Sequence, residues 1–289
     1  MTARTASRSW FHWRRRMSNR LMWVIAILAT LIALTPLVMV MYYLLQQGLP
    51  ALKLSFFTQL PKPVGETGGG MANAIVGTLI LIGLASAFGL PFGILGGVYL
   101  AEFGNNKLGQ TIRFAADVLA SVPSIVIGIL VYGLIVAPMK HFSAFSGGVA
   151  LGIMMIPTVM RTTDELVRLV PASQREAALS LGASHVKTVF TVVMLAARGG
   201  VITGILLAIA RIAGETAPLL FTAFGNRFWS VKLGEPIASL PVQIFTYAIA
   251  PYDDWHAQAW TGALVLVTLI LVLGIVARYA TRGRVRIVR

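Results

Sequence analysis

Two charged residues, Arg211 and Glu215, stand inside residues 199–226, a stretch with no other Asp, Glu, Lys or Arg. A charge in the middle of a membrane helix costs roughly 2.5–3.5 kcal/mol, and such residues usually face a protein interior or a water-filled path. Residues four apart share one face of a helix, so the two can neutralise each other. Alternatively, Arg211 attracts a tetrahedral oxyanion, because a guanidinium matches its oxygens. Glu215 is then the counter-ion, and Thr216 and Thr222 are candidate hydroxyl contacts.

The composition places these residues in a membrane. The chain has 289 residues, of which 57% are hydrophobic and 12% charged, and its mean hydropathy is +0.79. Soluble domains carry about 25% charged residues. Cysteine is absent, which excludes a disulfide framework and thiolate-bound metal, and the four histidines lie far apart. The sequence therefore predicts no metal site and no cofactor.

Six apolar stretches are long enough to cross a membrane, which takes about 20 residues. Five of them contain no Asp, Glu, Lys or Arg, and the sixth carries Arg211 and Glu215. They are residues 21–45, 71–101, 118–139, 142–160, 199–226 and 259–277. The sequence therefore predicts an all-α membrane protein with six transmembrane helices.

The basic residues predict which side each connection faces. Of the 24 Lys and Arg residues, 18 lie in residues 1–20, 102–117, 161–198 and 278–289. Cytoplasmic connections carry this excess, so both termini are expected in the cytoplasm. A sequence pI near 10.9 would suggest nucleic-acid binding in a soluble protein. Here the charge gathers at span ends, where it meets anionic lipid, and no nucleic-acid partner is expected.

The connection at residues 161–190 is longer than the 2–8 residues that usually join bundle helices, so it is expected to have a partner. Its pattern predicts a short helix. A capping box marks its start, small residues form its body, and a glycine in the left-handed conformation marks its end. The residues are, in that order, Ser173 with Glu176, Ala177 with Ala178, and Gly182. Ser184 is placed to cap the following helix. Arg161, at the start of the connection, is either an anion contact at the inner mouth or an anchor that sets orientation.

The residues Glu176-Ala-Ala-Leu-Ser-Leu-Gly182, followed by Ala183, resemble the EAA loop of binding-protein-dependent ABC importer permeases. In that family the loop docks into an ATPase subunit. The resemblance implies the type I ABC permease fold. It also implies ATPase contacts at Glu176, Ala177, Ala178, Gly182 and Ala183. The chain departs from the family at Leu195-Ala196, where Leu-Pro is common, and this puts the local bend into the fifth span in doubt.

Four further segments narrow the resemblance to phosphate importer permease subunits of the PstA type. They are residues 68–78, residues 97–103, Arg161-Thr-Thr-Asp-Glu165 and the segment 211–222 that begins Arg-Ile-Ala-Gly-Glu-Thr-Ala-Pro. The resemblance implicates Arg211 and Glu215 in phosphate passage. It implies a bacterial inner membrane, a PstC-like sister permease, an ATPase dimer and a periplasmic or lipid-anchored phosphate-binding protein. Sulfate or molybdate stays open as the substrate.

The predicted organisation has four parts, and none is an enzyme. They are a basic cytoplasmic segment 1–20, a first span with an outer segment 21–67, a permease core 68–280 and a basic cytoplasmic tail 281–289. The Walker A pattern G-x-x-x-x-G-K-[ST] is absent from the sequence, so a separate subunit is expected to hydrolyse ATP. The alternative is a self-sufficient ion-coupled carrier with Arg211 and Glu215 as a proton relay. Such carriers often contain two matching halves, and no internal repeat is evident.

Overall fold

The computed structural model of the chain describes residues 3–66 and 68–282. Within these residues all regular secondary structure is helical. The helices are α1 (Ala3–Gly48), α2 (Leu54–Thr58), α3 (Ala72–Glu102), α4 (Lys107–Ser121), α5 (Ser124–Met139), α6 (Ala144–Arg168), α7 (Ala172–Ser180), α8 (His185–Ala213), α9 (Ala217–Thr222), α10 (Leu240–Ala248) and α11 (Asp253–Arg282).

Five of the described helices, α1, α3, α6, α8 and α11, are long and apolar enough to cross a membrane. Helices α4 and α5 pass the same test only together, and they meet at 101°. Counting this bent pair as one span gives six. The prediction of an all-α membrane protein with six spans is therefore confirmed by the lengths and composition of these helices.

Two predicted spans are not single helices. The third, residues 118–139, is broken at Val122, which is extended (φ −66°, ψ 131°) because the following Pro123 disfavours a helical conformation there. The fifth, residues 199–226, is also not one helix, since α8 begins at His185 and ends at Ala213. The charges of Lys187 and Arg198 placed the predicted start too late.

Helices α3 and α6 form the centre of the molecule. A row of glycines on α3 lies directly against α6, so that an added Cβ at each would collide with it. The pairs are Gly89 with Met155, Gly93 with Val159, and Gly97 with Thr163. Small residues at such positions let two helix backbones approach closely. These three glycines of the second predicted span are therefore packing positions.

The two ends of α3 define the two ends of the bundle. Its last residue, Glu102, contacts the segment that contains α7, and we call this the α7 end. Its first turns hold the segment that leads into α10: Asn73 donates to the carbonyl of Asn226 at 2.6 Å, and Thr78 accepts from the amide of Leu240 at 2.8 Å. We call this the α10 end.

The predicted division at residues 20 and 21 falls inside one continuous helix, because α1 runs from Ala3 to Gly48. Its last residue is tied to the final span, where the hydroxyl of Thr261 donates to the carbonyl of Gly48 at 3.0 Å. Of the predicted tail 281–289, residues 283–289 lie outside the described residues.

Candidate functional site

The depth of Arg211 in the bundle follows from how α8 packs on α6. The two helices run antiparallel, since an added Cβ at Gly200 would meet Leu166 and one at Gly204 would meet Thr162. Arg211 lies seven residues beyond Gly204, about 10 Å further along the helix. In the same register this is the level of residue 155, about halfway along α6. Its neighbour Ile212 shares a buried apolar cluster with Met155, which agrees with that level.

Arg211 belongs to an exposed row on α8. The row contains every fourth residue, which places its members on one helix face. Its members are Leu195, Gly199, Thr203, Leu207 and Arg211, all exposed in the isolated chain. Among the described residues, the guanidinium of Arg211 has no hydrogen bond or ion pair. Because a cation at mid-depth is costly in hydrocarbon, this face requires a polar partner or water.

The expected pair on one helix face is not formed. Helix α8 ends at Ala213, and the amides of Gly214 and Glu215 donate to the carbonyls of Arg211 and Ile212 at 3.3 and 3.2 Å. These tighter bonds close the last turn, as is common at helix ends. Glu215 therefore lies in the break after the helix, half-buried. Within the described part of the chain no ion pair within 4.0 Å joins it to Arg211, so the self-neutralising pair, one of the two interpretations of these residues, is not formed.

The two threonines have different surroundings. Thr216 immediately precedes α9 and is partly exposed, and no hydrogen bond of its hydroxyl is found among the described residues. Thr222 is completely buried. Its hydroxyl donates to the carbonyl of Pro218 at 2.8 Å, and its own carbonyl accepts from the hydroxyl of Ser146 at 2.9 Å. Thr222 thus joins α9 to the start of α6, and Thr216 is the hydroxyl left available next to Glu215.

Arg161 lies in the last third of α6 and not in a loop. Its guanidinium donates to Asp117 at 2.7 Å and to Glu165 at 3.2 Å, and its side chain is 63% exposed. It lines a cavity of about 150 Å³ at the α7 end, next to the buried Asp164. Two carboxylates therefore already balance this cation, in contrast to Arg211.

The helix predicted inside residues 161–190 is α7. The expected capping box is wrong, because the helix begins at Ala172 after Pro171 and has no side-chain cap. Its end is as predicted: Gly182 is left-handed (φ 82°), and the amides of Gly182 and Ala183 donate to the carbonyls of Leu179 and Ala178. This is the Schellman pattern. Ser184 caps α8 by accepting from the amide of Lys187 at 3.4 Å.

The surface around α7 is exposed and partly apolar. Glu176 and Ala177 are exposed, while Ala178 is half-buried. Leucines next to them are also uncovered, with 75% exposure at Leu169 and 89% at Leu181. Exposed apolar residues grouped outside the spans are typical of a protein interaction surface. The segment thus has the character of a docking site.

Sequence reasoning missed the residue that holds α7 in place. Arg175 donates to a carboxylate oxygen of Glu102 at 2.7 Å and to the carbonyl of Val167 at 2.9 Å. The side chain of Glu102 is only 5% exposed, so this carboxylate is buried. The partners are 73 positions apart, and no local pattern in the sequence links them.

The α7 end carries a second buried charge cluster. Asp164, whose side chain is 11% exposed, accepts from Arg113 at 2.8 Å and from Arg168 at 2.6 Å. Both arginines also donate to the carbonyl of Leu100, the third-last residue of α3. Helices α3, α4 and α6 are therefore joined at this end through one carboxylate.

These features define a multi-pass membrane protein with a broken helix beside a mid-depth cation and a short exposed helix at one end. The family model described as "Binding-protein-dependent transport system inner membrane component" matches residues 93–286. The match covers about two thirds of the chain and includes both α7 and Arg211. The chain belongs to this family.

Within the family the chain is similar to proteins named "Phosphate transport system permease protein PstA". The one from Yersinia pestis is 43% identical over 279 residues, which are 96% of this chain and 93% of that protein. The one from Xylella fastidiosa strain Temecula1 is 47% identical over 267 residues, 92% of this chain and 93% of that protein. This confirms the resemblance found in the sequence.

The fold is shared with a solved transporter. A structure of the MetNI methionine ABC transporter in inward-facing conformations aligns with a TM-score of 0.56 at 18% identity, covering 73% of this chain and 92% of that chain. The predicted ABC importer permease fold is thereby confirmed.

Proposed function

We propose that the chain is one of two membrane-spanning subunits of an ATP-driven importer of inorganic phosphate in a bacterial inner membrane. Relatives named as phosphate permeases, 43–47% identical over more than nine tenths of the chain, support the substrate. The observation that carries the mechanism is the exposed and unpaired Arg211 at mid-depth of the bundle. Both termini and the α7 end lie in the cytoplasm, as the distribution of basic residues favours.

The translocation path runs along the exposed row of α8. A PstC-like sister permease covers this row, so that Arg211 faces a water-filled seam between the subunits rather than lipid. The guanidinium binds phosphate oxygens there. Glu215 and Thr216 stand in the helix break immediately beyond it. Conduction requires binding that is weak and divided among several positions, and one cation with a nearby carboxylate meets that requirement.

Arg161 is a second position on this path, near its cytoplasmic end. Its two carboxylate partners, Asp117 and Glu165, lower its affinity for an anion, and a single passing phosphate has to compete with both. The same pairs also hold α4 against α6, so Arg161 combines an anion contact with a structural role.

Energy comes from an ATPase dimer that docks on the α7 segment. Glu176, Ala177 and Ala178 form the contact helix, and Gly182 and Ala183 end it and aim the chain into α8. The subunit has no catalytic residues of its own. Because Arg175 ties α7 to Glu102 at the end of α3, a movement of the ATPase reaches the central helix of the bundle directly.

A periplasmic or lipid-anchored phosphate-binding protein meets the α10 end, where residues 46–70 and 227–257 provide the surface. Trp229 is exposed there and is available to such a partner. Trp255, the other tryptophan in these segments, is buried and stacks on Tyr247 with ring centroids 4.4 Å apart, so its role is to support the surface from within.

The test is uptake of labelled phosphate into vesicles that contain the chain with its sister permease, the ATPase and the binding protein. Removing the charge in Arg211→Gln should reduce uptake about 10–100-fold, the range expected for a lost hydrogen bond to a charged group. Arg211→Lys keeps the positive charge but lacks the planar guanidinium, and its uptake should lie between those of the wild type and Arg211→Gln. Arg20→Gln, an exposed arginine in α1, is the matched control.

Each alternative has its own signature in the same vesicles. Wild-type uptake by Arg211→Gln would remove Arg211 from the path. Uptake without ATP would favour the ion-coupled carrier, and ATP-driven uptake of sulfate or molybdate in place of phosphate would change the substrate.

A further inference from the structure

The α10 end contains a further cation, Arg227, beside a cavity lined by both polar and apolar residues. The cavity has a volume of about 380 Å³. Its polar lining comes from Asn226, Arg227, Ser239, Gln243, Thr246 and Tyr247, and the apolar remainder from residues of α9 and α10 and their connection. No Asp or Glu belongs to the described lining, so the cavity is positively charged.

Arg227 is available to a ligand. Among the described residues it has no hydrogen bond and no carboxylate within 4.0 Å. Its guanidinium carbon lies 5.7 Å from the ring centroid of Trp255, which in turn stacks on Tyr247. Cation–π contact positions a guanidinium without neutralising it. The stack therefore holds the charge at the rim of the cavity.

Further donors converge on the same space. Burial raises the pKa of the Tyr247 phenol, so the hydroxyl stays protonated at neutral pH and can donate. Ser239 precedes the nine-residue helix α10 but does not cap it, and its hydroxyl has no hydrogen-bond partner. The positive end of the α10 dipole lies at this point. The amide of Gln243, which interacts with the Tyr247 hydroxyl, also lines the cavity and carries donor hydrogens.

We propose that this cavity is a binding site for a tetrahedral phosphate oxyanion, with Arg227 and Tyr247 as its principal contacts. The proposal deepens the proposed function and rests on it: the site receives inorganic phosphate at the outer mouth, before the ion moves inward to Arg211. A cation with neutral donors and no carboxylate suits an anion in transit, because it binds through charge-assisted hydrogen bonds that can exchange with water at the open side.

Another cation in the same connection serves as a matched control. Lys232 pairs with Glu235 at 2.8 Å, and this contact lowers the pKa of the Glu235 carboxyl. Lys232 is paired with a carboxylate and does not line the cavity. Removing the charge of Lys232 lowers the net charge of this connection by one, as removing the charge of Arg227 would, but it leaves the proposed site unchanged.

The experiment measures protection of Arg227 from phenylglyoxal, read by mass spectrometry of its peptide, in the complete transporter in phosphatidylcholine nanodiscs. Inorganic phosphate should slow modification of Arg227 several-fold relative to chloride at equal ionic strength, while exposed Arg20 in the same sample stays unaffected. Tyr247→Phe, which keeps the stack on Trp255, should reduce the protection, and Lys232→Gln should not.

The arms separate the possible outcomes. Protection by phosphatidylglycerol nanodiscs without inorganic phosphate, and none by phosphate itself, would make the cavity a lipid headgroup site and overturn the proposal. Equal rates in every arm would also overturn it. Protection of Arg227 should persist in Arg211→Gln, in which phosphate uptake should be reduced. If wild-type vesicles fail to import phosphate while protection stands, the proposed function fails and the binding site does not.

Discussion

Replacing Arg175 by methionine should release α7 from the bundle. None of the nine residues of α7 is buried, so packing contributes little and the arginine supplies most of the attachment. Its loss leaves the carboxylate of Glu102, 5% exposed, without a counter-charge. Breaking a buried ion pair from one side typically costs 3–5 kcal/mol, and since Arg175 itself is 22% exposed we expect about 3 kcal/mol.

The assay is hydrogen exchange of the amides in residues 172–180 of the purified transporter. A loss of about 3 kcal/mol in the stability of the docked helix speeds their exchange by about 100-fold when they exchange through local opening. Amides in the centre of α3 should keep their rates. Transport should fall together with the attachment of α7 to the bundle. Under the proposed function, the ATPase then moves a segment that is no longer bound to Glu102.

Two variants test the physical reason. Arg161→Met breaks the exposed pair with Asp117, in which the side chains are 63% and 55% exposed, and should cost under about 1 kcal/mol. The double variant Arg175→Met with Glu102→Leu removes the buried charge altogether and should recover most of the lost protection. Unchanged exchange in Arg175→Met, or a double variant no better than the single one, would refute the reasoning.

Two further changes follow from packing and charge. Asp164→Asn leaves two arginines facing each other without a carboxylate and should lower stability by about 1–3 kcal/mol, measured as a lower melting temperature; Asp117→Asn, at an exposed position, is the control, and an equal loss in both would contradict the role of burial. Gly77→Ala places a methyl group against the carbonyl of Ala238 and should reduce the yield of folded protein. Gly83→Ala, where nothing lies within 4 Å, should be tolerated, and equal yields would argue against this close approach.

The membrane class and most spans followed from the sequence because they depend on average properties. Long uncharged stretches predicted α1, α3, α6 and α11 without any knowledge of contacts. The end of α7 was also predictable, since a left-handed C-terminal residue demands glycine locally and Gly182 supplies it. The EAA resemblance at residues 176–182 singled out the segment that is the proposed docking site.

The errors arose where a boundary depends on distant contacts. Spans were expected to begin after the last charged residue, which placed the start of the fifth span beyond Arg198, although α8 begins at His185. The capping box at Ser173 failed because Pro171 starts α7 earlier, its preset φ of −58° being compatible with the helix entry. The pair Arg175–Glu102 has no local signal at all, since it joins two helices that only the folded bundle brings together.

The helix break next to Arg211 shows why spacing alone did not predict the geometry of the pathway. Four-residue spacing places Arg211 and Glu215 on one face only if the helix continues, but α8 stops at Ala213 and Pro218 starts the next helix, α9. The break separates Arg211 from Glu215. Arg211 lies on the same face of α8 as Leu195, and Leu195 follows the π-turn at Val189–Val193. Helix α8 runs 27 residues, about 40 Å, from its start at His185, next to the α7 segment, to the mid-depth Arg211, and a π-turn, often found at functional sites, lies between the two. Under the proposed function, the part of an α7 movement that travels along α8 passes this turn before it reaches Arg211.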